Sequence, residues 1–134
     1  MADQGRMIKM WFEKSANDLK AANLLAKQNS EDFLGSSVFH AQQAAEKAMK
    51  GFLTFHKIRF TKTHNIALLV SLISEVDPQL ATELKPAIIL TEFAVAYRYP
   101  EEKEPPEPLT QKSCEKVNIL ANWVCAELRS RILV

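Results

Sequence analysis

Apolar residues recur every three or four positions from about Met7 to Lys27, at Ile8, Trp11, Phe12, Leu19, Ala22, Leu25 and Ala26. That period predicts a helix with one buried stripe. Asn29 and Ser30 read as a stop and an N-cap, with Glu31 and Asp32 in a first turn where acidic side chains favour the positive end of the helix dipole. The second helix runs from there to about His56 through Val38, Ala41, Ala44, Ala45, Ala48, Met49, Phe52 and Leu53. Its length spans a domain of this size, which predicts the central position. Residues 57–63 break the pattern, and Thr63 or Asn65 can cap a short third helix through Ile66, Leu69 and Ile73. Asp77–Pro78 reads as a cap and first-turn pair opening a further short turn, since proline lacks a donor that this position leaves unpaired anyway. Pro86 fits near the start of a fourth long helix carrying Ile88, Leu90, Phe93, Ala94 and Tyr97, which Tyr99–Pro100 ends. Residues 101–108, Glu-Glu-Lys-Glu-Pro-Pro-Glu-Pro, have nothing to bury and predict an exposed acidic loop. From about Thr110 to Arg131, Val117, Leu120, Ala121, Val124, Cys125 and Leu128 form one face of a last helix, whose Arg129 and Arg131 suit the negative end of its dipole. The pattern predicts an all-α protein, an antiparallel up-down four-helix bundle with a short extra helix. It forms one domain over residues 1–134 with its core at about 7–130 and no internal repeat.

Composition agrees with that reading and narrows the function. With 47% hydrophobic residues, 134 residues can form a core without disulfides or metals. Only three glycines and 8% aromatics, beside recurrent Ala, Leu, Lys and Glu, favour helix over sheet. A formal net charge of +1 excludes a global basic field, so any polyanion contact must come from a local patch, and DNA is not expected as a partner. Met1 to Lys14 carries Asp3, Arg6, Lys9, Glu13 and Lys14 without an apolar h-region, and no apolar run is long enough to span a bilayer. A cytoplasmic protein with no membrane contact is expected. Cys114 and Cys125, about 16 Å apart along one helix, cannot bridge each other and read as small core residues.

Four features can carry chemistry. On the second helix His40, Gln43, Lys47 and Lys50 lie within roughly 80° of one another, a stripe that either faces a groove or is the solvated side of an amphipathic helix. Between Lys47 and Lys62 five cations (Lys47, Lys50, Lys57, Arg59, Lys62) stand against Glu46 alone, while the proline-rich loop has four glutamates against Lys103. That basic corner suits phosphate or the acidic loop of a neighbouring subunit. Arg98-Tyr99-Pro100 offers a guanidinium fork and a stacking face, and equally reads as a helix end capped by a cation and stopped by proline. Arg59 and His64, with four residues between them, are the minimum kit for attack by an RNA 2′-hydroxyl. There is no glycine-rich phosphate loop, Cys-x-x-Cys or His-Glu-x-x-His, and the three histidines are scattered, so neither a metal nor a cofactor is expected.

The run Phe39-His40-Ala41-Gln42-Gln43-Ala44-Ala45-Glu46-Lys47-Ala48-Met49-Lys50 resembles the signature second helix of the HEPN family, the higher eukaryotes and prokaryotes nucleotide-binding domain. Trp11 with Ala16, Asp18 and Leu19 resembles its first helix, Lys62-Thr63-His64-Asn65 its Lys-Thr-His-Asp/Asn turn, and Arg98-Tyr99-Pro100 its helix end. Order and spacing fit over about residues 7–130, as in a small stand-alone prokaryotic member. The resemblance implies an antiparallel four-helix bundle, commonly a homodimer, often encoded beside a minimal nucleotidyltransferase as half of a toxin–antitoxin pair. Some relatives are metal-independent ribonucleases that use an arginine and a histidine four to six residues beyond it near the start of a late helix, paired across a dimer. Here Arg59 and His64 fall in the loop after the second helix, Phe60 follows the arginine, and no histidine comes after His64, so the match reads as coincidental.

The positions that carry over as candidates for lining a nucleotide or RNA groove are His40, Gln43, Lys47, His64, Arg98 and Tyr99, and no catalytic residue is assigned. Cations and aromatics there suit phosphate and base. The leading expectation is a noncatalytic or weakly active module that binds a nucleotide or a minimal nucleotidyltransferase, within a toxin–antitoxin pair. Two alternatives remain. One is a metal-independent ribonuclease toxin with His64 or His40 as base and Arg59 or Arg98 facing the anionic transition state. The other is a dimeric helical scaffold without a ligand.

Overall fold

Four side chains take up the first free N–H groups of helices and so cut the chain into segments. Asp3 accepts from Gly5, Ser30 from Asp32, Asn65 from Ala67 and Leu68, and Asp77 from Leu80. In a computed structural model describing residues 3–132, those caps open α1 (Gln4–Ala26), α2 (Glu31–Phe55), α3 (Ile66–Ile73) and α4 (Pro78–Leu84). A single 3-10 turn at Lys85–Ala87 carries Pro86 into α5 (Ile88–Arg98), and α6 (Gln111–Ile132) closes the chain. Thr110 and Ser113 cap α6 reciprocally: the Ser113 N–H donates to Thr110 Oγ1, and the Thr110 N–H to Ser113 Oγ. No strand occurs among the described residues, and the all-helical bundle expected from the periodicity is what forms. Residues 1–2 and 133–134, the ends of the expected domain, lie outside the described residues. No described helix is long and apolar enough to cross a membrane.

The chain runs up α1, back down α2, and up the shorter path of α3 to α5 before α6 completes the bundle, with α1, α3, α5 and α6 all packed on α2. α2 is therefore wrapped on nearly every side. Ala41, Ala44, Ala45 and Ala48 are fully buried, and residues this small let neighbouring backbones come close. Two hydroxyls exploit that approach, Ser15 Oγ donating to the Ala44 carbonyl at 2.7 Å and Ser37 Oγ to the Ala22 carbonyl at 2.8 Å. Around this seam Met49, Phe52, Leu53, Ile66, Leu69, Ile73, Leu80, Leu84, Leu90 and Leu128 fill the core. α2 ends in a Schellman turn. The Ile58 N–H reaches the Leu53 carbonyl and the Lys57 N–H that of Thr54, with Lys57 in the left-handed region at φ 60°. At the far end of α6, Arg131 contacts Asp77 and Glu127 and ties the last helix to the start of α4.

Two glycines of α2 sit at close approaches with different neighbours. A Cβ on Gly51 would lie 2.6 Å from the Phe12 ring and 3.1 Å from Trp11 Cβ, and Phe12 is buried. On Gly35 the clash would be with the ring of Tyr97, which is exposed. Gly51→Ala is expected to cost about 1–3 kcal/mol, overpacking outweighing alanine's gain in helix propensity. Gly35→Ala is expected to stay within about 1 kcal/mol of the parent, because the Tyr97 ring can swing into solvent. Urea unfolding midpoints of the two variants check the contrast.

Candidate functional site

A helix covered on nearly every side buries some of its polar residues. In α2 Gln42, Glu46 and Lys50, spaced four apart, are 2%, 2% and 5% exposed. A buried carboxylate and a buried ammonium persist only when paired and hydrogen-bonded. Lys50 Nζ lies 2.9 Å from Glu46 Oε2 and 5.6 Å from the centre of the Trp11 ring, so the cation is held by a carboxylate and an aromatic face together. The other oxygen, Glu46 Oε1, accepts from Gln42 Nε2 at 3.2 Å and from His64 Nδ1 at 3.0 Å. Gln42 Nε2 also reaches the His64 carbonyl at 2.9 Å, and Gln43 Nε2 donates to Gln42 Oε1 at 2.9 Å. Backbone and side chain of His64 are thus both clamped to α2. A carboxylate oxygen only accepts, so Nδ1 carries the proton and Nε2 stays uncommitted among the described residues.

His64, whose side chain is 77% exposed, borders a cavity of about 130 Å³ between α2 and α5. Phe39 and Gln43 line it from α2, and Thr91, Arg98 and Tyr99 from α5 and its end. The Arg98 guanidinium stands 4.4 Å from the centre of the Phe39 ring, which holds a flexible fork in one orientation. Tyr99 follows directly, its N–H bonded to the Val95 carbonyl and its ring about half exposed. A cavity of this size admits a phosphate or the edge of a base, and the rest of a larger ligand would lie across the open surface beside Tyr99.

Of the six sequence candidates, the structure brings together Gln43, His64, Arg98 and Tyr99. The other two face a different neighbour: His40 Nδ1 is 2.9 Å from Asp18 Oδ1, and Lys47 Nζ bonds Asp18 Oδ2. They bracket one half-buried carboxylate of α1 and staple α1 to α2. The polar stripe of α2 is consequently neither a solvated face nor one groove. Its last member, Lys50, is in the core, and its other three are half-buried. Arg59 lines a separate groove and does not share a cavity with His64. Sequence reading missed the roles of Gln42, Glu46, Asp18 and Phe39. The one signal for Glu46 and Lys50 was their spacing of four along the helix.

Both cysteines are buried, which disfavours their thiolates. Burial pushes the Cys125 thiol up to about 11 and raises Cys114 as well. Among the described residues no three His, Cys, Asp or Glu side chains group as a metal site would.

The family model for the HEPN domain matches residues 8–129. A solved structure, the crystal structure of ST0689, described as an archaeal HEPN homologue, superposes with a TM-score of 0.65 at 24% identity. The match covers 94% of this chain and 98% of that one. At that identity the likeness speaks for the fold. No curated protein matches the chain.

Glu46→Leu is expected to cost about 3–5 kcal/mol, because it leaves the Lys50 ammonium buried without a partner. Adding Lys50→Met should restore most of the loss, a double-mutant result read from denaturant unfolding. At pH 8 an aromatic disulfide reagent is expected to titrate neither thiol of the native chain rapidly and both thiols once the chain is unfolded in guanidinium.

Proposed function

The chain belongs to the HEPN family, and from that premise we propose that it is a nucleotide-binding module whose cavity between α2 and α5 holds the phosphate end of its ligand. The observation that carries this reading is the convergence of Arg98, Gln43, His64 and Tyr99 on one cavity, with Arg98 already stacked on Phe39. A guanidinium fixed by stacking loses little freedom when it forks onto a phosphate. Gln43 offers amide groups to a base edge and Tyr99 a face for stacking. The proposal extends to a noncatalytic role beside a minimal nucleotidyltransferase in a toxin–antitoxin pair, which is the arrangement the family implies. Both cysteines are free, in keeping with a reducing cytoplasm.

One observation favours a second reading, a metal-independent ribonuclease. Glu46 orients His64 through Nδ1, and His64 lines the same cavity that Arg98 borders. That is the arrangement of a general base beside a cation for an oxyanion.

Titration of ATP, GTP and AMP into isotope-labelled protein separates the two readings from each other and from an unliganded scaffold. Shifts are expected around Arg98 and Tyr99 at submillimolar nucleotide, weakened at least about tenfold by Arg98→Ala and unchanged by Ile119→Ala on the far face. The absence of any shift at millimolar nucleotide would sink the binding reading. Cleavage of a labelled RNA in chelator, lost in His64→Ala, would replace it with the ribonuclease.

A further inference from the structure

A second groove lies at the opposite end of the bundle from the acidic loop. Gln4 Nε2 donates to the Thr54 carbonyl at 2.7 Å, which sets the start of α1 against the end of α2. Between them and the loop after α2 is a groove of about 540 Å³ lined by Met7, Trp11, Lys57, Ile58, Arg59 and Phe60. Trp11 and Phe60 meet edge to face with centroids 6.2 Å apart, and the Trp11 indole N–H is buried with no acceptor among the described residues. Lys57 and Arg59 are exposed and in no ion pair among the described residues, and residues 4–11 and 54–62 contain no Asp or Glu. Lys57 holds φ 60° as the residue that closes the Schellman turn, a conformation glycine adopts without the cost lysine meets.

The complementary surface is on the same chain. Glu101, Glu102 and Glu104 are exposed and unpaired among the described residues, whereas Glu107 is taken by Lys116. Pro105 and Pro106 are exposed too, and prolines both fix their own φ and hold the residue before them extended. Such segments lose little entropy on docking and suit aromatic-lined grooves. The loop cannot fold back onto its own groove. Gln111 Nε2 donates to the Ala26 carbonyl at 2.7 Å, so the loop ends beside the far end of α1, about 34 Å from Gln4 along a helix rising about 1.5 Å per residue.

We propose that residues 101–106 of one copy dock in the Trp11–Phe60 groove of a second copy. The carboxylates meet Lys57 and Arg59, the prolines lie on the two rings, and a loop carbonyl satisfies the Trp11 N–H once the side chains over it shift. Two copies lying antiparallel place each loop against the other's groove, which closes a two-fold pair with two equivalent contacts and leaves no open end.

Sedimentation of the full chain tests it, with three variants beside the parent: a loop reversal (Glu101, Glu102 and Glu104 to Lys), Lys57→Glu with Arg59→Glu, and all five together. Either reversal is expected to weaken self-association at least about tenfold, and the combined swap to recover much of it. Lys57→Gly keeps the test sharp, since it relieves strain and should raise stability while lowering association. A peptide of residues 99–109 should also shift the emission of Trp11 in a Trp123→Phe chain and compete with dimerisation. A parent that stays monomeric at several hundred micromolar, or a dimer indifferent to both reversals, would overturn the proposal. So would a groove that takes a single-stranded oligoribonucleotide and ignores the peptide.

Discussion

The placement of His64 at the cavity depends on one buried ion pair. Glu46 and Lys50 sit a helical turn apart inside α2, and a charge so placed is tolerated only while its partner and its hydrogen bonds are in place. The pair uses one carboxylate oxygen on Lys50, which leaves the other free to gather Gln42 and His64. The loop after α2 exposes Lys57, Arg59, Thr61 and Lys62 and rests on the core through Ile58 and Phe60. Its far end is held by this carboxylate and by the Gln42 amide on the His64 carbonyl. A residue buried for structural reasons thereby sets the position of an exposed imidazole.

The pair can exist because α2 is enclosed. Alanines at 41, 44, 45 and 48 bring α1 near enough for serine hydroxyls to reach main-chain carbonyls across the interface, and α6 and α5 cover the remaining sides. Enclosure excludes water and raises the effective strength of each polar contact within it. The same closeness explains the glycines. Gly51 admits the Phe12 ring and Gly35 the Tyr97 ring where any side chain would collide.

The helices were legible in the sequence because their boundaries are written in local chemistry. Ser30, Asn65 and the Asp77–Pro78 pair each cap the helix that follows, and the period of apolar residues marks the buried faces. The site was half legible. Arg98, Tyr99, His64 and Gln43 converge as their residue types suggested, but His40 and Lys47 turn to Asp18, 22 and 29 residues earlier in the chain. Helical angle alone could not separate the two groups. Gln43 and Lys47 are near neighbours on the wheel, and which helix covers each is decided by tertiary packing. Lys50 shows the same limit, since a lysine in line with three half-exposed polar residues reads as surface until Trp11 and Glu46 are seen around it.

The ion pair also forms the wall between two surfaces. On one side Glu46 holds His64 at the cavity that Arg98 borders, and on the other Lys50 stands over the ring of Trp11, which lines the basic groove. Glu46 and Lys50 cannot move independently, because separating them strands a charge in the core. Displacing Trp11 removes part of what surrounds the Lys50 ammonium, and displacing His64 removes one of the donors to Glu46. A partner seated against Trp11 and a ligand seated against His64 therefore draw on the same few contacts. Coupling between the two surfaces requires only that either occupant change the energy of that pair, with no rearrangement of the helices.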